Sequence, residues 1–80
     1  MIQHKERSVS LGFTEGSSDK VYYLWLTGSN DEWNVRCKYG KRWNANNTHY
    51  KFDSPVNHAE AEDMYEKLLH QKLKKGYTEE

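Results

Sequence analysis

Trp33-Asn34-Val35-Arg36-Cys37-Lys38-Tyr39-Gly40 places Trp, Val, Cys and Tyr at every second position, with Asn, Arg, Lys and Gly between them. Successive side chains of a β-strand point to opposite faces, so this period of two is what a strand with one buried face requires. Its parity turns Trp33, Val35 and Cys37 inward and Arg36 and Lys38 outward. The inward set needs a covering layer, which the rest of the chain has to supply.

Towards the N-terminus, Val9, Leu11 and Phe13 alternate with Ser8, Ser10 and Gly12, which predicts a first strand over Arg7 to Thr14. Gly16-Ser17-Ser18-Asp19 is a cluster of turn formers. Lys20 to Thr27 follows as a second strand, aromatic and branched without alternation, as a strand covered on both faces would be. Gly28-Ser29-Asn30-Asp31 then turns the chain into the strand that begins at Trp33. Towards the C-terminus, Asn44-Ala45-Asn46-Asn47 reads as a loop, and Thr48 to Asp53 as a short fourth strand. The period of two there puts Tyr50 and Phe52 inward and His49 and Lys51 outward.

A helix start lies at either Ser54, before Pro55, or Asn57, three residues before Glu60. Ala61, Met64, Tyr65, Leu68, Leu69 and Leu73 form its apolar stripe. Glu60, Glu62 and Asp63 early and Lys72, Lys74 and Lys75 late complement the helix dipole, and Gly76 is placed to close the helix in a left-handed cap. Residues 1 to 6 and 78 to 80 are polar ends expected to fray. The predicted fold class is α+β: a four-stranded antiparallel β-sheet with one C-terminal α-helix packed on its apolar face. It forms a single domain over residues 1 to 80, with its core at about 8 to 77.

Composition supports a folded chain of modest stability. Leu, Ile, Val and Phe make up only thirteen of eighty residues, below the ~20% level associated with disorder. Disorder also calls for a large net charge, and here twelve Lys and Arg balance twelve Asp and Glu. Eleven aromatic residues, each able to bury roughly 150–250 Å², make up for the missing aliphatics. Cys37 is the only cysteine, which excludes an intrachain disulfide and every multi-cysteine zinc pattern. The start of the chain lacks the apolar stretch of a signal peptide, and the longest apolar run, Val21 to Leu26, is too short to span a bilayer. An intracellular protein with no membrane partner is expected.

Several segments together resemble the WGR domain, over about residues 8 to 77. They are Lys20-Val21-Tyr22-Tyr23 opening the second strand, Tyr39-Gly40-Lys41 closing the third, Phe52-Asp53-Ser54 before the helix, and Lys72-Leu73-Lys74-Lys75-Gly76-Tyr77 at its end. Tyr39 and Lys41 stand where the family's signature has tryptophan and arginine. Arg42 and Trp43 replace the small apolar residue and glycine that commonly follow. WGR domains occur in DNA-dependent poly(ADP-ribose) polymerases, where they help hold DNA near a strand break, and in bacterial proteins. The resemblance implies nucleic-acid binding and a contact role for Tyr39. It does not imply catalysis, because the transferase domain of those polymerases has no counterpart here.

The residues themselves point the same way. Arg36, Lys38, Lys41, Arg42 and Lys51 fall between Arg36 and Phe52 with no acid among them, so a neutral chain is locally basic. Pairing of the third and fourth strands would set cation against cation, a cost of a few tenths to ~1 kcal/mol that an anionic ligand reverses. A solvated sheet face guarded by lysines against edge pairing has the same composition. Trp43, beside Arg42 in a polar stretch, is a candidate ring for stacking on a base, or else a core residue folded under its loop. Strand parity puts Tyr39 with the buried residues, and only a bulge at Gly40 would reconcile that with a contact role. The candidate nucleic-acid-binding residues are therefore Arg36, Lys38, Tyr39, Lys41, Arg42, Trp43 and Lys51, with DNA the expected partner.

His4, His49, His58 and His70 lack the spacing of paired metal ligands, and no nucleophile elbow or phosphate loop is present. No cofactor, metal or catalytic residue is expected. The competing reading is a protein-interaction or self-associating module, in which a second copy covers the aromatic face of Lys20 to Thr27 that one short helix leaves bare.

Overall fold

The computed structural model describes residues 4 to 80. Strands β1 (Arg7–Glu15), β2 (Ser18–Ser29), β3 (Glu32–Lys41) and β4 (Asn47–Tyr50) precede helix α1 (His58–Lys74) and a two-residue strand β5 (Thr78–Glu79). All pairings are antiparallel and the order across the sheet is β4-β3-β2-β1-β5. The fold class is the α+β sheet and C-terminal helix expected, with five strands in place of four.

Two tight hairpins set the register of the three long strands. Gly16, at φ 59°, occupies the two-residue loop between Glu15 and Ser18, a left-handed position natural to glycine. Asn30, at φ 54°, does the same before Glu32, and its carbonyl accepts a hydrogen bond from Trp33 Nε1 at 2.8 Å. With register so fixed, Leu11, Tyr22, Leu24, Leu26, Trp33, Val35 and Cys37 share one face and bury against Ala61, Tyr65 and Leu68 of α1. Each fully buried Leu or Val contributes about 1.5–3 kcal/mol relative to exposure.

The helix starts at the later of its two candidate positions: Asn57 Oδ1 accepts from the Glu60 amide at 2.9 Å. It ends with Gly76 at φ 108°, where the Gly76 amide donates to Leu73 O and the Tyr77 amide to Lys72 O, the paired bonds of a Schellman motif. Its inward row differs from the predicted stripe. Ala61, Tyr65 and Leu68 are buried, and one turn further on Lys72, not Leu73, continues that row, while Leu73 is exposed.

Three further expectations are corrected. The fourth strand is shorter than Thr48 to Asp53, and Tyr50 does not face inward: it pairs with Arg36 on the side away from the helix and is 60% exposed. Two residues separate Arg36 from Trp33, but five separate Tyr50 from Val56, the partner of Trp33, so the extra chain reverses facing and Phe52 and Val56, but not Tyr50, pack on the core. Second, β2 is covered on both faces only near its start: Val21, on the side away from the helix, is fully buried, whereas Tyr23 and Trp25 beyond it lie half-buried. Third, residues 78 to 80 are tied down: β5 pairs with Leu11 and Gly12, and the Glu80 amide donates to Ser10 O at 2.9 Å. At the other end, residues 1 to 3 lie outside those described, while His4 stacks on His58 at 3.6 Å and Glu6 accepts from the Gly28 amide. Among the described residues no helix is long and apolar enough to cross a membrane.

Candidate nucleic-acid interface

The five candidate cations do not share one surface. Arg36 and Lys38 point away from the helix, as their parity requires, with Trp25 and Tyr50 flanking Arg36 and Tyr23 and Thr48 flanking Lys38. Lys41 takes the opposite parity and stands on the helix side, directly across from Lys20 of β2. Lys51 lies beyond β4, where its amide donates to Val35 O at 2.9 Å; that aligns it with Val35, on the helix side, and its charge disfavours the protonated form of Lys72. His49 also faces the helix side, opposite Cys37. The expected opposition of Arg36 and Lys38 to His49 and Lys51 is therefore absent, because the register of β3 with β4 pairs them with Tyr50 and Thr48 instead.

Arg42 is neutralised. Its Nε donates to both carboxylate oxygens of Asp19 at 2.9 and 3.0 Å, and its Nη1 and Nη2 reach Glu80 at 3.0 and 2.7 Å. The bidentate pair with Glu80 and the bifurcated bond to Asp19 hold the guanidinium still more firmly protonated than usual, and the former pulls the Glu80 carboxyl below its ordinary pKa. The clamp lies over Gly12, where a Cβ would overlap the Glu80 carboxylate, and beside buried Val21. Arg42 thus joins Glu80 to Asp19 on the β2 edge of the first hairpin, and the two N–H groups it has left, one on each terminal nitrogen, point apart and form no fork for a phosphate.

Tyr39 occupies the helix side of β3 with no bulge, since pairing with β2 runs unbroken from Lys20–Lys41 to Ser29–Glu32. It is nevertheless 37% exposed, because it extends beyond the cover of α1. Its ring stacks on Tyr22 at 5.5 Å and on His49 at 5.4 Å. The same residue therefore satisfies both parity and accessibility, which appeared incompatible for a regular strand. Trp43 is not folded under its loop; it projects from the turn after β3 and is 89% exposed.

What collects around Lys41 comes from the far end of the chain. Lys72 sits with its ammonium 4.6 Å above the ring of Tyr22 and 5.8 Å from that of Tyr77. Burial lowers its pKa, and the neighbouring charges of Lys75 and Lys51 lower it further. Lys20, Lys72 and Lys75, together with Phe13 and Tyr77, line a cleft of about 350 Å³. Among the described residues none of Lys20, Lys41, Lys72 and Lys75 forms an ion pair. Sequence reasoning assigned Lys72 and Lys75 to the helix dipole, although they could extend a basic surface, and did not connect Lys20 with them. Two signals were available: Lys20 has the parity of Tyr22, Leu24 and Leu26, and Lys72 follows Ala61, Tyr65 and Leu68 at helical spacing.

Cys37 is buried, and its contact with Tyr22 reinforces the burial that pushes the Tyr22 hydroxyl pKa upward. No three His, Cys, Asp or Glu side chains among the described residues gather as a metal site would need. Comparison with known proteins finds no matching family model, no matching curated protein and no matching solved structure.

Proposed function

We propose that the chain is a non-catalytic module that binds nucleic acid, DNA in the first instance, through phosphate contacts. The observation that carries this is the opposition of Lys20 and Lys41 at the sheet end, with Lys72 and Lys75 beside them and no carboxylate paired to any of the four among the described residues. Like charges directly opposite one another cost a few tenths to ~1 kcal/mol, and a polyanion removes that cost. Lys51 adds charge on the same side, and Tyr39 and Trp43 offer accessible rings. Arg42, held by two carboxylates, leaves the proposed contact set. The resemblance of Tyr39-Gly40-Lys41 to the WGR signature supports the same surface.

The test is fluorescence anisotropy of labelled duplex, nicked duplex and single-stranded oligonucleotides at a series of salt concentrations. Each duplex phosphate neutralised contributes roughly −0.9 to the slope of log affinity against log salt. Lys20→Glu with Lys41→Glu weakens binding and flattens that slope; a wild-type titration already flat with salt contradicts the proposal.

A protein-interaction or self-associating module is the second reading, favoured by the half-buried Tyr23 and Trp25 on the uncovered side of β2. Arg36 and Lys38 weigh against two copies meeting face to face there, since like charges would be brought together.

A further inference from the structure

The side of the sheet away from α1 is divided in two. Towards the first hairpin it is closed by the Arg42 clamp over Gly12. The remainder is open and has two parallel rows: Ser8, Trp25, Arg36 and Tyr50 in one, Ser10, Tyr23, Lys38 and Thr48 in the next. Within β1 to β4 neither row contains an acid, the Glu80 carboxylate at the edge beside Ser10 being held by Arg42, and among the described residues neither Arg36 nor Lys38 forms an ion pair. Each cation stands between aromatic or hydroxyl side chains of the adjacent strands, so charge and flat apolar surface alternate across the face.

Arg36 is preorganised. Its guanidinium carbon lies 4.2 Å from the centroid of the Trp25 ring, and its Nε is buried without a hydrogen-bond partner. A guanidinium held over an indole keeps its outer N–H groups for an anion. Tyr23 and Trp25 pack against each other at 6.0 Å, and Tyr50 stands on the other flank of Arg36 with most of its ring exposed.

We infer that this open face binds unpaired bases, so that the ligand class is single-stranded nucleic acid, its phosphates on Arg36 and Lys38 and its bases on Tyr23, Trp25 and Tyr50. Alternation of free cations with aromatic rings, Tyr50 exposed and Tyr23 and Trp25 half-buried, is what stacking of a polyanion's bases needs, and every base has a π-face to offer. A duplex hides those faces. Rows two residues apart on a strand are ~6.6 Å apart, about twice the ~3.4 Å base spacing of a duplex strand, so bases on successive rows have to be unstacked from one another. An acidic peptide matches the charges and leaves the rings without planar partners. This inference rests on the nucleic-acid reading and assigns it a second surface, separate from the Lys20 and Lys41 cluster.

The experiment compares a short oligothymidylate, a hairpin duplex and polyglutamate as ligands for the full chain and its variants. Tyr50→Ala and Trp25→Ala are each expected to lower affinity for oligothymidylate roughly 5- to 150-fold, the range for removing one stacking ring, with duplex affinity little changed. Trp25→Phe is expected to restore binding, which a merely structural loss would not explain, and circular dichroism verifies that each variant is folded. Unchanged oligothymidylate affinity in the ring variants, with loss on Lys20→Glu and Lys41→Glu, overturns the inference and leaves the nucleic-acid reading standing. Polyglutamate competing as well as the oligonucleotide overturns it too. Failure of both nucleic acids to bind the wild-type chain overturns both. A stable dimer by light scattering that oligothymidylate does not perturb assigns the face to a second copy and overturns the inference.

Discussion

Lys20 and Lys41 face each other as a directly opposed pair at the end of β2 and β3, on the side of the sheet where the helix brings down Lys72. Neighbouring residues on one face of an antiparallel pair interact through their side chains, so this is repulsion built into the sheet. Lys41→Glu therefore separates stability from binding. Turning a like-charge pair into an opposite-charge pair is expected to raise the urea midpoint, by a few tenths to ~1 kcal/mol in stability, while affinity for DNA falls. A variant that loses both has been damaged structurally, and the proposed role of Lys41 then lacks support.

Arg42→Ala should behave in the opposite way. Its guanidinium is occupied by Asp19 and Glu80, so its loss is expected to destabilise the chain and leave the salt slope of DNA binding unchanged. Parallel denaturation and salt titration distinguish this from a direct phosphate contact, which would reduce the slope by roughly one unit.

Acid should loosen the same clamp. Hydrogen bonding to Arg42 lowers the Glu80 pKa in the folded chain, so the folded state binds fewer protons than the unfolded state there. The resulting stabilisation is complete above the ordinary carboxylate pKa and is lost as pH falls through the lowered folded value. Amide exchange at Glu80, whose N–H donates to Ser10 O, reports it: protection is expected to drop on acidification in the wild type. In Glu80→Gln that acid-dependent step should be missing.

Gly28 and Gly16 should respond differently to alanine. At Gly28, φ is 153° and a Cβ would lie against the Glu32 carbonyl and 2.7 Å from Trp33 Cα, both backbone. Gly28→Ala is expected to lose about 1–3 kcal/mol from backbone strain alone, with the steric overlap added to that. At Gly16, φ is 59° with open space around it, and Gly16→Ala should cost only about 1–2 kcal/mol. Tryptophan fluorescence during denaturation measures both.

Trp43→Ala tests whether the exposed ring takes part in binding. Its side chain is 89% exposed, so stability should move by no more than about 0.5 kcal/mol. Reduced affinity for nucleic acid in a variant of unchanged stability assigns the ring a contact; unchanged affinity removes it from the interface.

Much of the fold was legible because it is written in local periods and end signals. Alternation correctly predicted the facing of Trp33, Val35 and Cys37, and Asn57 and Gly76 sit where a helix start and stop should be. Tyr50 was misread because extra chain between it and Val56 interrupts the period, and nothing in Thr48 to Asp53 announces that. Thr78 and Glu79 carry no strand pattern of their own; they pair because the Gly76 cap redirects the chain onto the free edge of β1.

Sequence alone determined the fold class, the three long strands and the helix, since strand and helix periods, turn residues and caps act over a few neighbouring positions. The charge clusters were decided by tertiary structure. Arg36 and Lys38 were separated from Lys41 by side-chain alternation, but Lys20, Lys72 and Lys75 joined Lys41 only through strand pairing and the end point of the helix. Arg42 met Glu80 across thirty-eight positions of chain. Which charges attract or repel depends on distances of a few ångströms, and for residues far apart in the chain those distances exist only after folding.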